Sequence, residues 1–346
     1  MAFCSNSKQK EANLPDFAIF VKITNTYKLM KQFDIAAIGE LNVDIILDGI
    51  ESEPEIGKEK FAQRMTVTLG SSTAIFAANA AALGSRVCFV GMIGRDPFGE
   101  LVRTSLEAKG VDTSALIEGD TPTGATICMS YGEDRANLTY QGAMDVMGFD
   151  DIDKSVFDRT RHIHLSSLFM QSALMRDIHK VLDMAASKGV TVSLDTQWDP
   201  AEKWALDYKT VLPKVTVFMP NETELKALTG KSDLDSAIAE VLPYLGQAML
   251  VKCGSRGSLL VRRDGSRVEL PAFLNTSVVD AIGAGDSCNA GFVSAFVKGL
   301  PLEECQKTGN LTGAVNTTAA GGTGAFTSLD AVKTVCRERF GAELGL

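Results

Sequence analysis

The stretch Asp280-Ala281-Ile282-Gly283-Ala284-Gly285-Asp286 decides which fold this chain can adopt. It follows an extended run, Asn275 to Val279, and opens the segment Ser287 to Lys298. There Cys288, Phe292, Ala295 and Phe296 fall at helical spacing, so the expectation is a strand, a glycine turn and a buried helix. Small residues at 283, 284 and 285 let a ligand approach the backbone. The start of a helix leaves N–H groups unpaired and carries partial positive charge, which suits an anion. An acid at that point, Asp286, serves either as an N-terminal cap or as a catalytic base.

Two other phosphate motifs are excluded by single residues. Gly230-Lys231-Ser232 ends like a P-loop, but Leu225 occupies the place five positions before Gly230 where that loop needs glycine. Gly230 is therefore expected to close a helix ending at Thr229. A dinucleotide fingerprint begun at Gly283 would need glycine at 288, and the residue there is Cys288.

Working outward, 346 residues with 45% hydrophobic content suffice for one large α/β domain or two smaller ones. A formal net charge of −9 argues against nucleic-acid binding but not against a nucleotide site, which needs only local positive potential. Seven cysteines, an odd number without C-x-x-C, fit free thiols in a reducing, cytoplasmic setting. With three histidines a His-based metal site is not expected, and His162 and His164 alternate on a strand as structural residues. No apolar run reaches 18 residues, and no secretion signal is expected. Residues 1–29 fit poorly with the rest of the chain. They are expected to be an extension, either disordered or an added surface element, with Met30 as the natural start of a domain spanning 30–346.

Strands are expected at Phe33–Gly39, Arg86–Gly91, His162–Leu168, Val190–Asp195, Val215–Met219 and Ala248–Cys253, with helical stretches between many of them. That alternation implies parallel βα units in a doubly wound sheet. Ligands sit beyond the carboxyl ends of such strands, where Gly39-Glu40-Leu41-Asn42-Val43-Asp44 lies. Asn42 and Asp44, two apart, share a face and can grip neighbouring hydroxyls, or are ordinary loop residues. Segments 45–69 and 123–141 read as strands outside the main sheet. Gly70-Ser71-Ser72-Thr73 precedes the helix Ala74–Leu83; its hydroxyls bind sugar oxygens or cap the helix. Asn221 and Glu224 lie one turn apart, either as a cap and its partner or as ligands of Mg²⁺.

The 280–286 stretch resembles the D-T-x-G-A-G-D signature of the ribokinase-like (PfkB) carbohydrate kinases, with Ala281 in place of Thr. The resemblance covers about residues 33–340. It implies a three-layer, mostly parallel α/β sheet with a small β lid from about 45–69 and 123–141, often used to form a homodimer. It implies transfer of phosphate from ATP to a small sugar, with Asp286 as base and Gly283, Ala284 and Gly285 forming an anion hole. Gly39–Asp44 is similar to the family's G-x-x-N-x-D, so Asn42 and Asp44, with Gly70, Ser71 and Ser72, are the implied acceptor contacts. The family's G-G-x-x-x-N pattern is broken: Ile75 stands where relatives place Asn, and Asn79 follows one turn later. Asn221 and Glu224 match N-x-x-E, with Glu224 on Mg²⁺ through water. Lys252, Gly254, Ser255 and Gly257 resemble the nucleotide loop T-L-G-x-x-G, and Asn310 borders the base. Asp280 and Ile282, with Gly322, Gly324 and Ser328 of the closing G-A loop, would offer carbonyls to a monovalent cation such as K⁺. The alternatives are a nucleoside (adenosine-like) kinase, with Phe61, Phe76 and Phe169 as candidate base contacts, and a catalytically silent regulatory homologue.

Overall fold

Along the first strand, β1 (Phe33–Ile38), alternate residues enter different cores. Ile35 and Ala37 join one buried cluster and Ala36 and Ile38 the other, the period of two expected of a strand covered on both faces. The computed structural model describes residues 31–131 and 134–346, so the extension of residues 1–29 lies outside the described residues.

The chain leaves β1 into β2 (Asn42–Asp48) and β3 (Arg64–Leu69), then α1 (Ser72–Ala82), and returns to the sheet as β4 (Val87–Val90) beside β1. The short β5 (Met92–Gly94), α2 (Pro97–Ala108) and β6 (Ile117–Gly119) come next, then β7 (Gly124–Tyr131) and β8 (Asp134–Tyr140). The main sheet resumes with β9 (Thr160–Ser166), α3 (Ile178–Ser187), β10 (Thr191–Asp195), β11 (Val217–Phe218), α4 (Glu222–Thr229), α5 (Leu234–Val241), β12 (Ala248–Lys252), β13 (Ser258–Arg262) and β14 (Arg267–Leu270). Three helices close the chain: α6 (Ala284–Val297), α7 (Leu302–Asn316) and α8 (Leu329–Phe340).

The eight-stranded order is β14-β13-β12-β11-β10-β9-β1-β4, parallel from β4 to β12, with β13 antiparallel to both of its neighbours. The strand order reverses around β1, which has β4 on one side and β9 on the other. That reversal opens a crevice at the carboxyl ends of β1, β9 and β10. A second sheet has the order β3-β2-β7-β8. Its strands are those expected outside the main sheet, although β2 begins at Asn42, so Asn42 and Asp44 belong to this sheet and not to a loop.

α6 and α7 pack closely because glycine allows it. A Cβ on Gly291 would lie 2.0 Å from Thr312 Oγ1. Gly230 ends α4 in a left-handed conformation, the expected cap. One strand is corrected: Asn275–Val279 forms no strand. Asn275 Nδ2 donates to Thr317 O and Oγ1, and the Val279 N–H donates to Thr317 O, so the segment is tied to the end of α7. Leu274, Val278 and Val279 are exposed. The preceding strand, β14, takes the sheet edge.

Candidate active site

Gly283 adopts φ +75° and turns the chain into α6, which begins at Ala284, three residues before the expected start. Asp286 therefore sits in the first helical turn. It makes no capping bond. It is 6% exposed, and its Oδ1 accepts a 2.8 Å hydrogen bond from Gln197 Nε2. The crevice around it holds three more carboxylates and one ammonium. Glu40 follows β1, Asp195 ends β10, Glu224 lies on α4 and Lys252 ends β12. Burial, then repulsion from Asp195, pushes the Asp286 carboxyl up to about 8 against the pull of Lys252. Burial and Asp195 likewise push Glu224 up to about 7. Glu40 is raised by burial, although Thr73 donates to it from both its hydroxyl and its N–H.

Lys252 Nζ donates to Asp195 Oδ2 and lies 3.5 Å from Asn289 Oδ1. Asn289 Nδ2 donates to the same Asp195 oxygen at 2.5 Å. Burial works to lower the Lys252 pKa, but Asp195 and Glu224 outweigh it and hold the ammonium charged. A Cβ on Gly285 would meet Lys252 Nζ at 3.8 Å, so that ammonium stands beside the glycine turn.

Asn42 Nδ2 donates to Asp44 Oδ1 and to Thr126 Oγ1, both at 3.0 Å. A Cβ on Gly70 would lie 2.4 Å from Asp44 Oδ1 and 2.7 Å from Asn42 Nδ2, so these three residues form one cluster. Ser71, at φ +74°, caps α1 by accepting from Ala74 N–H and donates to Glu40 O at 2.7 Å. Ser72 opens that helix.

Asn221 and Glu224 form a reciprocal capping box at 2.8 Å each way, so the local pattern has its structural use. Glu224 Oε2 is engaged there, and Lys252 N–H donates to Pro220 O alongside. Gly254 and Ser255 lie on an exposed turn between β12 and β13, while Gly257, at φ +100°, is buried against Leu270 O. Asn310 donates to Leu270 O and Pro271 O and so shapes the loop after β14.

Several groups of the candidate cation segment also bond within the chain. Asp280 Oδ1 accepts from Ile282 N–H and Oδ2 from Gly321 N–H. Gly322 O accepts from both Asn79 Nδ2 and Asn316 Nδ2 at 2.9 Å. Ser328 Oγ caps α8, and Gly324 folds back on Ala320 O.

Ile75, on α1, is 7% exposed. Its methyl groups lie against the Cα atoms of Gly283 and Gly322, where a Cβ would clash. Phe76 is core, stacked on His164 at 3.7 Å; Phe169 packs on Trp204; Phe61 is exposed. Sequence reasoning missed Glu40, Asp195, Gln197 and Asn289. Asp195 carried a signal, since it ends an expected parallel strand.

The pfkB family carbohydrate kinase pattern matches residues 32–328. An uncharacterized sugar kinase of Archaeoglobus fulgidus is 30% identical over 265 residues, 76% of this chain and 96% of that protein. A 5-dehydro-2-deoxygluconokinase of Lacticaseibacillus casei is 28% identical over 317 residues, covering 87% and 94%. In fold, Arabidopsis thaliana ribokinase complexed with ribose and ATP superposes with a TM-score of 0.76 at 24% identity, covering 88% of this chain and 98% of that one. A putative ribokinase II from E. coli, in complex with ATP and Mg²⁺, gives 0.76 at 21%, covering 88% and 99%. The chain belongs to the pfkB family of carbohydrate kinases, phosphotransferases that act on a carbohydrate hydroxyl.

Proposed function

We propose that this chain transfers the γ-phosphate of ATP to a hydroxyl of a small sugar, with Asp286 as general base. The observation that carries the proposal is a buried carboxylate in the first turn of α6 that has no capping duty. Asp286 accepts the acceptor's hydroxyl proton as the oxygen attacks the γ-phosphorus. The N–H groups of Ala284, Gly285 and Asp286, at the positive end of α6, take up charge on the transferring phosphoryl. Lys252 Nζ, beside Gly285, adds a fixed positive charge. Positioning does much of the remaining work in such transfers.

The donor set fits Mg²⁺ held largely through water. Glu224 is a hard oxygen donor in the field of Lys252, and no group of three or more His, Cys, Asp or Glu among the described residues forms a direct cage. Mg²⁺ supplies charge neutralisation on the phosphates when bound, and Glu224 would hold its water shell. Nucleotide contacts are assigned to Asn221, Lys252, Gly254, Ser255 and Gly257, with Asn310 supporting the neighbouring loop. Acceptor contacts are assigned to Asn42, Asp44, Gly70, Ser71 and Ser72, under a lid made by the second sheet. Closure of that lid would exclude water and limit wasteful hydrolysis of ATP.

The lid sheet leaves Met65, Val67, Leu138 and Tyr140 exposed, apolar surface that supports a homodimer through this sheet. Sedimentation equilibrium should return twice the chain mass, and Leu138→Glu should return one; a wild-type monomer would count against it. No described helix is long and apolar enough to cross a membrane. A cytoplasmic, reducing setting is the proposed location.

Asp44→Ala should lower kcat/KM for the acceptor roughly 10- to 150-fold, the loss of a charge-assisted hydrogen bond of about 1.5–3 kcal/mol. The KM for ATP should hardly move. An unchanged acceptor kcat/KM would place the sugar elsewhere. The pH profile tests the base itself. A base held at about 8 is protonated below that pH, so kcat/KM should fall about tenfold per unit on the acid side. A profile flat from pH 6 to 8 would contradict this.

A further inference from the structure

The loop after β10 contains three non-glycine residues at positive φ: Gln197 at 57°, Glu202 at 51° and Trp204 at 51°. Such a backbone persists where its surroundings fix it, and strain of this kind concentrates at functional sites. At Gln197 the consequence is visible. Its N–H donates to Asp195 Oδ1 at 3.2 Å, and its side-chain Nε2 donates to Asp195 Oδ2 at 3.2 Å and to Asp286 Oδ1 at 2.8 Å. Asp195 is itself fixed, fully buried, by Lys252 and Asn289. One amide thus joins a carboxylate that cannot move to one that must meet the substrate.

We propose that Gln197 is a positioning residue for the phosphoryl transfer: it aims the Asp286 carboxylate at the acceptor hydroxyl and stabilises its charged form. This rests on the assignment of Asp286 as base. The groups facing Asp286 are the carboxylates of Asp195, Glu40 and Glu224 and the ammonium of Lys252. Three of these four oppose its ionisation. The Gln197 amide joins Lys252 in favouring it, because a donor bonded to a carboxylate stabilises the charged form. Removing the amide therefore raises the proton affinity of Asp286 and moves the acid limb to higher pH.

Gln197→Gly tests this with the fold protected, since glycine accepts φ 57° without strain. The expected result is an unchanged or higher Tm, an unchanged KM for ATP, kcat at pH 7 lower by about tenfold, and an acid limb displaced upward by about one pH unit. Gln197→Glu keeps the shape but adds a third carboxyl beside Asp195 and Asp286, and should displace the limb further. Trp198 and Trp204 are the only two tryptophans in the chain, so intrinsic fluorescence reports whether the loop survives. Wild-type kcat and an unmoved limb in both variants would overturn the proposal. So would a drop in Tm with the limb unmoved, which would mark Gln197 as purely structural. Failure of the base assignment shows separately, as near-normal turnover in Asp286→Asn.

Discussion

Asp286→Asn is expected to lower kcat by on the order of 10²–10⁴, the usual cost of losing a general base. ATP binding and Tm should hardly change, for two physical reasons. The carboxylate caps nothing in α6, so no orphan N–H is released. Its carboxyl, held at about 8 by burial and by Asp195, is already largely protonated at pH 7, so a neutral amide changes the charge of the crevice little. The variant should bind nucleotide and acceptor and turn over neither, as isothermal titration and a coupled ADP assay would show together. Near-normal kcat would remove Asp286 from the chemistry.

The second large effect concerns stability. Asp195 is fully buried and pairs with Lys252, whose side chain is 12% exposed. Removing one partner of such a pair leaves a buried charge without compensation and costs about 3–5 kcal/mol. Asp195→Ala is therefore expected to lower Tm by roughly 6–10 °C, at about 2 °C per kcal/mol for a chain of this size. It should also abolish most activity, because Gln197 and Asn289 lose the acceptor that fixes them. Replacing both partners, Asp195→Leu with Lys252→Met, should recover part of the Tm while leaving the protein inactive, since paired apolar groups cost less than one orphaned charge. A Tm change under about 2 °C in Asp195→Ala would mean that water or Glu224 compensates Lys252.

Much of the sheet was legible because central strands covered on both faces are continuous apolar runs. Ile35 to Ile38 and Met249 to Val251 need no more than that pattern, whereas in Val190 to Leu194 the apolar residues alternate with Thr191 and Ser193. Asn275–Val279 failed for the opposite reason. β-branched residues record a preference, and only a partner strand makes a strand; here Thr317 takes the donors that a ladder would use. The glycine turn was legible through its spacing, and the acid after it through its place at a helix start. The surroundings of that acid were not. Gln197 reaches Asp286 across 89 positions from a left-handed residue, and neither the distance nor the φ leaves a mark in a local window. Glu224 shows the two levels together. Its capping box is readable from three residues, whereas its raised proton affinity arises from burial and Asp195. Ile75 aligns with the asparagine of the family pattern, and its methyl groups fill the space over Gly283 and Gly322.

The most direct test of the central claim is phosphorus NMR on the full chain, incubated with ATP and Mg²⁺ against a panel of sugars, sugar acids and nucleosides. The proposed function predicts a new phosphomonoester signal and stoichiometric ADP with at least one sugar, none without an acceptor, and none with Asp286→Asn. Two results would contradict it. A phosphomonoester formed only from nucleosides would move the acceptor to another class. No acceptor-dependent ADP anywhere in the panel, from a protein that still binds ATP, would make this chain a catalytically silent member of its family.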